Sequence, residues 1–176
     1  MKLFLYCTKD KNTHLIRNES DNYWYVMNNH DLSVFKNVET YNGKIVAECD
    51  FEVVKNEDLV FDCCFNKETE LTLQQMAEYT GVNDYYAIHI KNLKERVMEL
   101  SVCYKEEKIR NSLYSSFIIK KPITKAPQNM MRVWVYENGK WVMYILISVR
   151  PEWVCLELNG IKNVEVRKKV LKEMQL

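Results

Sequence analysis

The chain lacks the paired ligands that mark several function classes. Its six cysteines, at positions 7, 49, 63, 64, 103 and 155, include no Cys-x-x-Cys pair. Its three histidines, His14, His30 and His89, stand far apart. Zinc and dithiol redox sites need ligands at short spacing, so no metal and no cofactor is expected. No low-complexity tract appears, and aromatics reach 12%, which argues against disorder. The apolar run Leu3-Phe4-Leu5-Tyr6-Cys7 is too short for a signal-peptide core, and nothing approaches a membrane span. Buried, reduced thiols in a cytoplasmic protein with no membrane partner are the expectation.

At 176 residues the chain is long enough for one domain with a sizeable core. The net charge of +1 conceals an uneven distribution. No acidic residue falls between Glu107 and Glu137, where Lys108, Arg110, Lys120, Lys121, Lys125 and Arg132 supply six positive charges. Residues 39–70 hold nine acids against Lys44, Lys55 and Lys67. A near-neutral protein with one basic stretch and one acidic stretch is suited to bind an anion locally.

Residues 3–8 (LFLYCT) read as a buried strand, and the aromatic stretch 22–35 is broken at Asn28-Asn29. In 42–54 (NGKIVAECDFEVV), alternation sets Ile45, Ala47, Cys49, Phe51 and Val53 against Val46, Glu48, Asp50 and Glu52. Residues 71–81 read as a short helix capped by Thr72 and stopped by Gly81. Residues 84–93 (DYYAIHIKNL) read as a strand with Tyr86, Ile88 and Ile90 opposite Ala87 and His89. Asn138-Gly139 inside VWVYENGKWVMYILI predicts a type I′ hairpin pairing Glu137 with Lys140, Tyr136 with Trp141, and Trp134 with Met143. Pro151 opens a helix that Gly160 ends, with Val154, Cys155 and Leu158 inward. A strand to about Arg167 and a short terminal helix follow. About seven strands and two or three short helices make an α+β fold, a small mixed β-barrel.

Residues 144–169, YILISVRPEWVCLELNGIKNVEVRKK, resemble the opening of the ASCH domain, a PUA-like β-barrel family. Its signature is a strand, a proline-initiated helix and Gly-x-Lys-x-x-Glu-x-Arg; Gly160, Lys162, Glu165 and Arg167 fill those positions in order. Position 163, often Thr in the family, is Asn here. The rest of the pattern stands earlier in the chain. MKLFLYCT is similar to the next barrel strand, GKIVAECDF to the central strand, YYAIHIKNLK to a late strand and KKPITKAPQNMMRVWVY to the closing segment. The resemblance therefore implies one PUA-like domain over 1–176 in circularly permuted order. Residues 143–176 would correspond to the family's N-terminal part and 1–142 to the remainder. Met143 then sits where a family member would begin, and the Asn138-Gly139 hairpin joins the old ends. A monomer and a domain-swapped dimer both satisfy that order.

The resemblance implies a cleft that binds RNA or a modified nucleoside through Lys162, Glu165 and Arg167. Lysine offers a point charge, arginine a planar fork, and glutamate an acceptor for an amine. On a regular strand Glu165 and Arg167 share one face, with Lys162 on the other. Lys120, Lys121, Lys125 and Arg132, interleaved with Tyr114, Phe117 and Trp134, add the cation–aromatic mixture that single-stranded nucleic acid selects. Some ASCH proteins are amidohydrolases that deacetylate N4-acetylcytidine with a Lys, a Thr three residues on, and a distant Glu. Here that third position is Glu165, so an enzyme would use Lys162, Glu165 and a hydroxyl such as Thr8 on the adjacent strand. A third reading is a protein-interaction factor of a phage or mobile element.

Overall fold

The computed structural model describes residues 1–18, 20–32, 38–55, 69–72, 74, 75, 78 and 85–175. The fold is α+β and mostly strand. The strands are β1 (Lys2–Cys7), β2 (Thr13–Asn18), β3 (Tyr23–Asn28), β4 (Lys44–Lys55), β5 (Tyr86–Glu99), β6 (Tyr104–Arg110), β7 (Ser116–Pro122), β8 (Met130–Glu137), β9 (Lys140–Val149) and β10 (Val164–Arg167). Helices α1 (Asn29–Leu32) and α2 (Pro151–Leu158) and 3-10 turns at Leu100–Val102 and Lys172–Met174 complete the described elements. There are more strands than the periodicity predicts. β6 and β7 bury little on either face and so carry no period-two signal.

Eight strands are hydrogen-bonded in the order β10-β5-β4-β1-β9-β8-β6-β7, and β2 pairs with β3 apart from them. The centre is β1, antiparallel to β4 and parallel to β9. Its unbroken apolar run follows from that position, since both of its faces are buried. Leu3, Leu5 and Cys7 join Ile145, Ile147 and Val154 in one core. Phe4 and Tyr6 join Val133, Val135 and Leu146 in the other. In β4 the expected alternation is interrupted by two bulges, so Val46 and Ala47 both face the first core while Ile45 faces the second.

The predicted β8–β9 hairpin has the expected register, with Glu137 opposite Lys140 and Tyr136 opposite Trp141. Asn138 (φ 52°) and Gly139 (φ 78°) take the left-handed conformations that its turn requires. Thr72 caps as expected, accepting from the Gln75 amide while Gln75 accepts from the Thr72 amide. Positions 73, 76, 77 and 79–81 of that expected helix, Gly81 among them, and the pair Cys63-Cys64 lie outside the described residues.

The order of strands leaves β10 and β7 at its two ends, so backbone pairing among the described residues does not close the sheet into the expected barrel. A side chain spans the gap instead. Arg167 on β10 donates to the Ser148 carbonyl of β9 at 2.7 Å, joining the ends of the five-strand arc β10-β5-β4-β1-β9.

Candidate functional site

Helix α2 leads directly into the site. Pro151 stands at its first position, and Gly160 (φ 75°) ends it in a Schellman turn. The Ile161 amide donates to Leu156 at 2.8 Å and the Gly160 amide to Glu157 at 3.1 Å. Asn159 ties this end to β3 by accepting from the Trp24 amide and donating to its carbonyl. That turn throws Lys162 inward just before β10 begins.

Lys162 is only 3% exposed, and its ammonium donates to the carbonyls of Thr69 (2.9 Å) and Val164 (2.6 Å). It also stands 3.5 Å from Glu165 and 5.3 Å from the Trp153 ring centre. The expected strand alternation separated Lys162 from Glu165. It fails because β10 starts only at Val164, leaving Lys162 in the turn and free to curl back. The Glu165–Arg167 pairing holds, at 3.2 Å on one strand face. Arg167 also donates to Asn129 at 2.9 Å and to Ser148 as described.

A further carboxyl group completes the cluster. Glu157 is 2% exposed, on the inward stripe Pro151, Val154, Glu157 of α2. The expected inward residues Cys155 and Leu158 are only partly buried. Neither Glu157 oxygen meets an N–H or O–H donor, and neither does Glu165 Oε1. A proton shared between Glu157 and Glu165 would give each carboxyl one partner. Burial, and then the charge of Glu165, push Glu157 well above the ordinary carboxylate range. Burial also opposes ionisation of Glu165. The hydrogen bond from Glu157 and the charges of Lys162 and Arg167 outweigh it and hold Glu165 below its usual value. The cluster thus sets Glu157, whose ionisation burial opposes, beside the Glu165 carboxylate, Lys162 and Arg167. Sequence reasoning missed Glu157; its signal was a carboxylate three residues after Val154 on an apolar helix face.

In front of the cluster lies a cleft of about 630 Å³. It opens at the carboxyl ends of the parallel pair β1 and β9, where Thr8 and Arg150 lead the chain in different directions. Thr8, Arg150, Trp153, Lys162, Glu165 and Arg167 all contribute to its wall, with Gln75 and Gln128 at the side. The structure therefore brings Thr8 to the same cleft as Lys162 and Glu165. It does not bring Lys120, Lys121, Lys125 or Arg132 there. The basic stretch is also less bare than its sequence. The β6–β7 register sets Glu106 opposite Lys120, and ion pairs join Lys120 to Glu106, Lys121 to Glu107 and Arg132 to Glu173.

Comparison with family models, with curated proteins and with solved structures found no match.

Glu48 pairs with Arg96 at 3.0 Å, and the Ser148 hydroxyl donates to Pro127. His89 sits in β5 opposite Val164. Burial pushes the thiols of Cys7, Cys49 and Cys103 up to about 12, as inert core cysteines require. No group of three or more metal-ligating side chains is found among the described residues.

Proposed function

We propose that the chain is a PUA-like module of the ASCH type in permuted strand order, whose cleft binds the base of a nucleoside, free or within RNA. The five-strand arc closed by Arg167 and the order of the signature residues support the fold reading. The observation that carries the functional reading is Arg167 itself. Three of its N–H groups are engaged by Asn129, Ser148 and Glu165, out of the five an arginine offers. The rest remain to meet a base edge in a cleft that also holds the Trp153 ring and two glutamine amides. A volume of about 630 Å³ falls within the usual range for small-molecule sites. Lys162 contributes charge rather than contacts, because two carbonyls hold its ammonium and the Glu165 carboxylate stands 3.5 Å away.

The second reading, an amidohydrolase on N4-acetylcytidine-type nucleosides, is favoured by one observation: Thr8, Lys162 and Glu165 line the same cleft. It needs Lys162 to exchange a proton with a nucleophile, and the carbonyls that hold its ammonium oppose that. Calorimetric titration with cytidine, N4-acetylcytidine and the other nucleosides tests the choice. Binding that Arg167→Lys abolishes, with no acetate released from N4-acetylcytidine above background, is expected, because lysine keeps the charge but loses the fork. Acetate release that Thr8→Ala removes would establish the hydrolase instead. Absence of nucleoside binding would refute both.

A further inference from the structure

Beyond the cleft, a sheet face that no described element covers carries aromatic rings that neither core uses. Side chains directly opposite one another in antiparallel strands share a face. Trp134 opposite Met143, Tyr136 opposite Trp141, and Tyr104 opposite Trp134 therefore lie together across β9, β8 and β6. The rings touch edge to face, Tyr104 to Trp141 at 5.1 Å and Tyr136 to Trp141 at 5.2 Å. The alternate residues Val133 and Val135 are buried in the core below, so the rings stand on a rigid base. Above them Tyr136 remains 59% exposed and Trp141 38% exposed.

The charge on this face is as one-sided as its composition is aromatic. Lys120 lies over Trp134 (5.1 Å) and Trp141 (4.9 Å). Lys108 and Arg110 fall on the same face of β6, beside Ile118 and Ser116 of β7. Neither has an acidic partner among the described residues. The carboxylate on this stretch of face, Glu106, is already paired with Lys120 at 3.8 Å. Exposed rings on a face that also carries the unpaired charges of Lys108 and Arg110 fit a strand that offers flat bases and a phosphate backbone. A hydrophobic protein partner would instead leave Lys108 and Arg110 facing no counter-charge.

We propose that the outer face of β9, β8 and β6 is a stacking platform for single-stranded nucleic acid, with Tyr136 and Trp141 under the bases and Lys108 and Arg110 beside the backbone. This surface rests on its own residues and not on the cleft.

The test is fluorescence anisotropy of a labelled oligouridine of about 12 nucleotides, titrated with the whole protein at about 50 and about 200 mM salt. Binding should weaken steeply with salt. Tyr136→Ala and Trp141→Ala should each weaken it roughly tenfold. Lys108→Glu, on an exposed site that cannot disturb the core, should weaken it and flatten the salt dependence. Lys91→Ala, an exposed change on β5 away from this face and from the cleft, should leave oligouridine affinity unchanged. Oligothymidine in a parallel arm separates RNA from DNA, and binding of either supports the platform. No binding at the lower salt would overturn the proposal. So would binding that Tyr136→Ala and Lys108→Glu both leave intact. Loss with Arg167→Lys alone would place the strand in the cleft, overturning the platform while sparing the nucleoside reading. Self-association that Trp141→Ala abolishes, without oligonucleotide binding, would assign the face to a second copy and overturn the proposal too.

Discussion

Glu157→Gln should make the protein's stability less dependent on pH, in a direction opposite to the usual carboxylate. Glu157 is buried and raised well above its unfolded value, so the folded state keeps a proton that the unfolded state releases above about pH 4.3. Its contribution is fully present below that value and is lost as pH rises toward the folded pKa. One extra bound proton in the folded state gives a slope of about 1.4 kcal/mol per pH unit. From pH 5.5 to 7.5 the wild type should therefore lose up to about 2.7 kcal/mol on this account. Glutamine keeps a donor toward Glu165 Oε1, carries no titrating proton, and preserves the volume. Its curve should be flat over the same range, and at pH 7.5 it should equal or exceed the wild type. Urea denaturation at pH 5.5, 6.5 and 7.5, with both proteins in the same buffers, measures the difference of slopes. Glu165 does not interfere, because its lowered carboxyl is ionised in both states throughout that window. Parallel wild-type and variant curves would refute a protonated Glu157. So would a variant less stable by about 2 kcal/mol at pH 7.5, the order expected if an ionised Glu157 made a charge-assisted bond.

Two further predictions concern the turn that delivers the site. Lys162→Met should lower stability by about 3–5 kcal/mol, read from the same urea transitions, because it removes a buried cation beside the Glu165 carboxylate; a loss below about 1 kcal/mol would mean the carboxylate is not held as described. Gly160→Ala should cost about 1 kcal/mol by the same measure, from the positive φ alone, since nothing stands within 4 Å of an added Cβ.

Elements whose residues report their own surroundings were legible in the sequence. β1 reads as doubly buried because every position from Leu3 to Cys7 is apolar, and the Asn138-Gly139 hairpin fixes its register through one turn type. Thr72 and Gly160 mark helix ends by local hydrogen bonding, which needs no tertiary knowledge. The signature spacing singled out Lys162, Glu165 and Arg167, and they do meet. What failed depends on long-range placement. Glu106 and Glu107 neutralise Lys120 and Lys121 only through the β6–β7 register, which no composition count reveals. Tyr114 and Phe117 are exposed, though aromatic residues among apolar neighbours equally suit a core. Glu157 was hidden because a charged residue on an inward stripe is read as an error in the stripe unless its partners are known.

The molecule carries a second ionic cluster, and comparing the two explains why only one is read as a site. Arg96 bonds Glu48 at 3.0 Å and Glu137 at 2.8 Å, and donates to the Tyr144 hydroxyl, which itself donates to Glu137. That cluster is anionic in sum, partly exposed and internally satisfied; its residues line no part of the cleft. It joins β5, β4, β8 and β9 as a staple, and hydrophobic residues of similar volume could replace such groups with little loss. The Lys162 cluster has the opposite character. It is nearly dry, holds the raised carboxyl of Glu157 behind Lys162, Glu165 and Arg167, and those three line an open cleft. A neutral buried acid beside an ionised one is an expensive arrangement for stability alone, since the same burial raises the desolvation cost of every member. A strongly raised carboxyl directly behind the charged groups of a cleft wall is the kind of perturbation that marks a candidate ligand site. Arg167 belongs to both functions at once: it closes the strand arc through Ser148 and presents its remaining donors to the cleft. The bond that joins β10 to β9 therefore also fixes a cation at the wall of the cleft.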